Sequence, residues 1–248
     1  MKHYSVIIPT LNEAKHIHRL LSSLVAQTLA PTEVLLIDGN SDDETQNVAA
    51  QFYSKLPLTI VNTQRGVGFQ RQFGGSRART ELLFFFDADV HFSADFIEKS
   101  LVELELRMLS LACPTYKPET DSFAVRCIYA FFNTIFFVGQ KYYPAGAGSC
   151  IIVTAALFKA VGGFTTTLLL DDLDFIYRAG TAGSFGQLHT RVYVSDRRFM
   201  KYGILPTFWQ YLQVSYLFVR RQIARGNSLH YEFGVYDSKK VASRSRTK

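Results

Sequence analysis

Residues 4–40 read YSVIIPTLNEAKHIHRLLSSLVAQTLAPTEVLLIDGN, and this stretch decides the fold class. Residues 4–8 are apolar and mostly β-branched and stop at Pro9, the pattern of a buried strand. Asn12 is placed to cap a helix, and Ile17, Leu20, Leu21, Leu24 and Val25 then recur at helical spacing. Pro31 breaks that pattern, and residues 33–37 form a second apolar run ending in Asp38-Gly39-Asn40. The strand runs are continuous rather than alternating, so burial on both faces is expected. Strand, helix, strand is the unit of a parallel sheet with crossover helices, which makes the chain α/β.

The pattern continues outward from there. Ser41 or Asp42 is expected to cap a second helix, with Asp43 and Glu44 in its dipole-favoured first turn. A third strand covers 58–61, a glycine-rich helix carrying Arg71 covers 66–78, and a strand over 81–86 runs straight into Asp87-Ala88-Asp89. A helix over 93–106 and a strand over 109–113 follow. The second half reads as an aromatic helix over 122–139, a small-residue loop over 144–149, and a strand over 149–153. Thr154 then caps a short helix that Gly162-Gly163 ends. A helix over 171–179, stopped by Gly180, and a long aromatic helix over 205–225 complete the reading. In open sheets of this kind ligands bind beyond the carboxyl ends of the strands. The loops at 9–13, 38–43 and 87–89 are therefore where chemistry is expected.

Asp87 and Asp89 face the same way in extended chain, about 7 Å apart. Two such carboxylates repel unless a cation joins them. Hard oxygen donors suit Mg2+ or Mn2+, and such a metal would also hold a diphosphate. A solvated turn ahead of the next helix accounts for the same residues, but their place after a buried strand favours the metal. Asp38 ends a strand where a carboxylate accepts hydrogen bonds from ribose or base, or else serves its turn. Asp171, Asp172 and Asp174 crowd a helix start, where acids complement the dipole. Taken alone, this cluster favours that structural role over a general base. Arg197-Arg198 fits either phosphate binding or a plain basic surface.

At 248 residues and 48% apolar composition, one compact domain with a modest extension is expected. Cys113, Cys127 and Cys150 sit in apolar runs and are expected in the core of a protein from a reducing compartment. The net charge of +6 owes much to residues 239–248, which hold no acid. Such a tail is either a solvated terminus or an attraction to an anionic membrane. Nucleic acid is not an expected partner, because no reader motif accompanies the charge. Neither a secretory leader nor an apolar run of about 20 residues is seen, so a cytoplasmic location is expected. The helix over 205–225 ends in Arg220, Arg221 and Arg225, and suits core packing, a homodimer face or a peripheral membrane contact.

Taken in order, these pieces resemble the family-2 inverting glycosyltransferases, which have the GT-A nucleotide-diphosphosugar transferase fold. The likeness spans about residues 4–200 and rests on five segments: 5–13, 34–45, 66–74, 82–89 and 162–175. It implies a GT-A domain over 1–204, with residues 205–248 as an extension. Pro9, Thr10 and Glu13 would line the nucleotide pocket, Asp38 would meet the base or ribose, and Arg71 the base or diphosphate. Asp89 would be the main ligand of Mg2+ or Mn2+, supported by Asp87, and Arg198, beside Arg197, would hold the diphosphate. Asp172 would be the catalytic base, with Asp171 on the acceptor side where the family more often has Glu. The implied substrates are a UDP- or GDP-sugar and a glycan or lipid-linked acceptor. The aromatic Gln-Arg-Trp motif of processive synthases is absent, which implies transfer of one sugar. A nucleotidyltransferase is disfavoured by the lack of a glycine-rich loop after the first strand. A non-catalytic nucleotide-sugar-binding subunit is the alternative.

Overall fold

A computed structural model of the chain describes residues 3–222. In chain order these form β1 (Tyr4–Thr10), α1 (Ile17–Val25), β2 (Glu33–Asp38), α2 (Thr45–Ala50), β3 (Leu58–Asn62), α3 (Val67–Arg77), β4 (Leu82–Phe86), β5 (Val90–Phe92) and α4 (Phe96–Leu106). The second half contributes β6 (Leu111–Glu119), α5 (Phe123–Gly139), β7 (Cys150–Thr154), α6 (Ala155–Ala160), α7 (Asp171–Ala182), β8 (Phe185–Ser195), α8 (Arg197–Tyr202) and α9 (Ile204–Val219). The strands make one sheet in the order β3-β2-β1-β4-β7-β6-β8-β5.

The half of the sheet containing β1 to β4 is parallel, as the continuous apolar runs predict. Every residue of β1 and β4 is buried. The other half is mixed: β7 runs antiparallel to β4 and β6, β8 is parallel to β6, and β5 is antiparallel to β8. β6 extends to Glu119 in spite of Pro114 and Pro118, with a register irregularity between Cys113 and Thr115. Pro114 sits at that interruption, and Pro118 lies where β6 has no β7 partner on its other edge, positions at which proline is tolerated.

Helix α3 is the element that positions the site, and its glycines set how close it comes. A Cβ at Gly74 would lie 2.5 Å from Ile7 Cγ2, and one at Gly75 would lie 2.6 Å from Phe158 Cζ. The helix therefore rests directly on β1 and β2, and its polar residues Gln70 and Arg71 are buried.

Several local expectations are corrected. Asn12 does not cap α1, which begins four residues after Glu13 at Ile17. Asn12 adopts φ 57°, donates its N–H to Ser41 Oγ (2.9 Å) and accepts from Asp42 N (2.8 Å), so it ties two loops together. Asn is among the few residues that reach this left-handed region readily. Neither Ser41 nor Asp42 caps α2, which begins at Thr45. Gly180 does not stop α7; it lies inside the helix because Pro144 packs where a Cβ would stand. Cys127 is exposed, whereas Cys113 and Cys150 are buried, and all three are free. The long aromatic helix ends at Val219, and Arg225 and the basic residues of 239–248 lie outside the described residues.

The tight α3 contact makes a first prediction. Gly74→Ala is expected to lower stability by about 1–3 kcal/mol, the cost of overpacking a filled core, read as a lower urea midpoint with unchanged slope.

Candidate active site

The carboxyl ends of β1, β2 and β3 lie level, with Thr10 paired to Asp38 and Asp38 to Asn62. Asp38 is fully buried. Its carboxylate accepts from Thr10 Oγ1 (3.1 Å), Ser41 N (2.8 Å), Ser41 Oγ (2.6 Å) and Gln46 Nε2 (2.9 Å). The residue expected to meet base or ribose thus also holds its own loop in shape. Gln70 reaches up from α3 to the carbonyls of Thr10 (2.8 Å) and Ile37 (2.6 Å), clamping the two strand ends.

Arg71, one residue further along α3, is the centre of a buried charge cluster. Its Nη1 donates to Asp171 Oδ2 (2.9 Å), and its Nη2 to Asp87 Oδ1 (2.7 Å) and to the Gly148 carbonyl (3.2 Å). The side chain is 5% exposed. Its Nε is buried without a partner. Burial works against the Arg71 charge, but Asp171, Asp87 and Asp172 outweigh it and hold the guanidinium above its ordinary pKa. Burial pushes Asp171 up to about 7 and Asp87 up to about 6, with Arg71 pulling each back.

The acidic cluster of α7 divides its work. Asp171, expected on the acceptor side, is instead buried against Arg71. Arg71, expected to meet base or diphosphate, spends both terminal nitrogens on protein acceptors. Asp174 accepts from Thr165 Oγ1 (2.7 Å) and Arg178 Nε (2.9 Å), and Arg178 also binds the carbonyls of Val161 and Gly163. Asp174 therefore braces the turn that brings α7 to the sheet. Asp172 is half-buried, with Oδ2 accepting from the Gly148 backbone N–H at 2.8 Å and Oδ1 from the Leu173 N–H at 2.9 Å. Gly148 has to be a glycine: a Cβ there would lie 2.7 Å from both Arg71 Nη2 and Asp172 Oδ2.

A second ionic knot lies alongside. Arg197, the first residue of α8, donates through Nη1 and Nη2 to the two oxygens of Glu13, both at 2.8 Å. Its Nη2 also lies 3.1 Å from Asp89 Oδ2. Burial raises Glu13 to about 7 although Arg197 opposes the shift. Arg198, the residue expected at the diphosphate, is partly buried, and its charge is felt at Tyr129. Of the two arginines, Arg197 is the one at 3.1 Å from Asp89, while Asp87 is held by Arg71. Adjacent arginines look alike in sequence, and only the start of α8 separates them.

The two knots gather five carboxylates, Glu13, Asp87, Asp89, Asp171 and Asp172, around two guanidiniums. Such an excess of oxygen ligands fits a divalent cation at Asp89 and Asp87. Among the described residues no group of three or more His, Cys, Asp or Glu side chains is arranged as a complete metal cage. Mg2+ characteristically takes one or two carboxylates and completes its shell with substrate phosphates and water. Gly148, Gln70 and Gln46 carry no specific sequence signal for the site, and Ser41 is expected only as a helix cap. Only the small-residue run over 144–149 hinted at Gly148.

Residues 5–160 match Glycosyl transferase family 2. Over 226 residues the chain is 27% identical to succinoglycan biosynthesis protein ExoA of Rhizobium meliloti (strain 1021), covering 83% of this chain and 66% of that protein. Among solved structures, S. aureus TarS 1-349 in complex with UDP-GlcNAc superposes with a TM-score of 0.66 at 21% identity, over 78% of this chain and 58% of that one. Mannosyltransferase PcManGT from Pyrobaculum calidifontis, in complex with GDP-Man and Mn2+, gives 0.65 at 22% identity, over 79% and 56%. The chain thus spans less than two thirds of the length of each. These structural likenesses establish the fold, which is GT-A as the sequence resemblance implied.

Removing the central guanidinium tests the cluster. Arg71→Met leaves Asp171 and Asp87 without their counter-ion and is expected to cost about 3–5 kcal/mol, the usual penalty for breaking a buried pair. Thermal melts of Arg71→Met and of Arg71→Met/Asp171→Asn check it: the second change should recover part of the loss.

Proposed function

The chain belongs to glycosyl transferase family 2, and we propose that it moves one sugar from a nucleoside diphosphate sugar to an acceptor hydroxyl, with inversion and with Asp172 as general base. The observation that carries this reading is the setting of Asp172: a half-buried carboxylate with Oδ2 fixed by Gly148 N–H and Oδ1 by Leu173 N–H, beside the Arg71–Asp87 pair at the carboxyl edge of β4. Each oxygen accepts one backbone N–H, which fixes the carboxylate and leaves a further lone pair on each for a proton. The nucleotide-sugar donor is supported by the ligands of the two structural neighbours, UDP-GlcNAc and GDP-Man.

In this reading residues 1–204 carry the reaction. Pro9, Thr10, Glu13 and Asp38 form the nucleotide side of the cleft, with Asp38 keeping the 38–46 loop in place for base and ribose. Asp89, with Asp87, holds Mg2+ or Mn2+, which neutralises the departing diphosphate when bound. Arg197 opens α8 within reach of the same carboxylate, and its planar fork suits diphosphate oxygens. Asp172 takes the proton of the acceptor hydroxyl as that oxygen bonds to the anomeric carbon. The bond from that carbon to the diphosphate oxygen breaks on the opposite face, which inverts the centre. Asp171 and Arg71 are positioning residues: they fix the first turn of α7, and with it the height of Asp172 over the sheet. The acceptor is a glycan or a lipid-linked glycan.

Two variants separate binding from chemistry. Asp172→Asn is expected to lower kcat by about 10^2–10^4, while calorimetry shows donor affinity kept. Asp89→Ala is expected to abolish the Mn2+-dependent part of donor binding across a panel of UDP-, GDP- and dTDP-sugars. An Asp172→Asn enzyme of normal kcat overturns the base assignment. Metal-dependent donor binding without turnover on any glycan or lipid acceptor assigns the chain to a non-catalytic sugar-nucleotide-binding role.

A further inference from the structure

Most helices of the protein bury their apolar side and show charge to water, but α5 and α9 do not. α5 has seventeen residues and a single charge, Arg126, while the sixteen residues of α9 carry none. The outward face of α5 repeats Phe123, Cys127, Phe131, Ile135 and Val138 at spacings of four and three, and continues to Tyr142, which is 81% exposed. On α9 the outward face repeats Leu205, Trp209, Gln213, Tyr216 and Val219, with Leu205 79% and Trp209 63% exposed. The two helices pack side by side, Phe132 meeting Phe208 and Tyr211 at ring distances of 6.3 and 5.7 Å. Contiguous exposed apolar surface of this kind marks an interaction site.

The segments that build this surface are predominantly basic. No acidic residue occurs between Asp121 and Asp171, nor between Asp196 and Glu232. Within those limits Arg126, Lys141, Lys201, Arg220 and Arg221 are exposed. No described helix is long and apolar enough to cross a membrane, so the pair is suited to lying along a bilayer. Trp and Tyr on the outer face and basic residues at the margin are what the headgroup layer selects.

We propose that α5 and α9, with their flanking Arg and Lys residues, form a docking surface for an anionic phospholipid bilayer. The apolar stripes enter the headgroup–acyl boundary, and the cations neutralise lipid phosphates. This stands apart from the sugar-transfer reading, since none of the surface residues belongs to the Glu13–Arg197 or Arg71 clusters.

Trp209 is the sole tryptophan of the chain, which provides a direct readout. With the full chain and phosphatidylcholine–phosphatidylglycerol vesicles, co-sedimentation, a blue shift of the Trp209 emission and its quenching by brominated lipid are expected. Pure phosphatidylcholine vesicles and high salt should weaken binding tenfold or more. Ile135→Glu and Leu205→Glu, at exposed positions, should each weaken it by a similar factor with unchanged circular dichroism. Protein left in the supernatant with unshifted emission overturns the proposal, as does equal binding to neutral vesicles. A dimer in sedimentation velocity, with Trp209 already blue-shifted and no response to vesicles, overturns it in favour of a second copy of the chain. Calorimetric donor binding on the same sample reports the sugar site separately, so either reading can fail without the other.

Discussion

A guanidinium deprived of water costs several kcal/mol unless its charge is met, and Arg71 is such a group. Its position requires α3 to lie against the sheet, which Gly74 and Gly75 allow. Its charge requires acids from two distant places, the end of β4 and the first turn of α7. Its remaining contact requires the backbone of Gly148. Segments far apart in the chain are thus bound to one point by electrostatics that tolerate little displacement. Asp172 inherits its position from that arrangement, being next in sequence to Asp171 and bonded to the same glycine.

The Glu13–Arg197–Asp89 knot complements this cluster on the other side of the Asp87–Asp89 pair. Together they leave the strand edge with more carboxylates than guanidiniums, and desolvation raises Glu13, Asp87 and Asp171 toward neutrality. Two buried like charges are unfavourable alone, which is why each acid here is met by a guanidinium or raised in pKa.

The described surface is divided in character. The parallel half of the sheet and helices α1 to α3 enclose a closed apolar core with a charged exterior, whereas α5 and α9 turn aromatic residues outward beneath a fringe of cations. The carboxylate–guanidinium site and the aromatic face meet near α8, whose first residue, Arg197, holds Glu13 and whose last residues lead into α9.

The sequence by itself determined the parallel half of the sheet, because continuous apolar runs at 4–8, 33–37 and 81–86 are stable only when buried on both faces. It also placed Asp38, Asp87 and Asp89 at the carboxyl edge of the sheet, since Asp38 closes the second strand and Asp87 and Asp89 lie in the turn after β4. The mixed second half was not legible, because antiparallel or parallel pairing of β6, β7 and β8 depends on partners up to about eighty residues away. Local pattern could not tell Asp171 from Asp172, nor Arg197 from Arg198. Neighbours on a helix differ by about 100° in direction, and which one meets water or a counter-ion is set only when the helix is docked. Asn12 and Gly180 show the same limit: local propensity made them a cap and a stop, and tertiary contacts with Ser41, Asp42 and Pro144 made them a loop tie and a packing site.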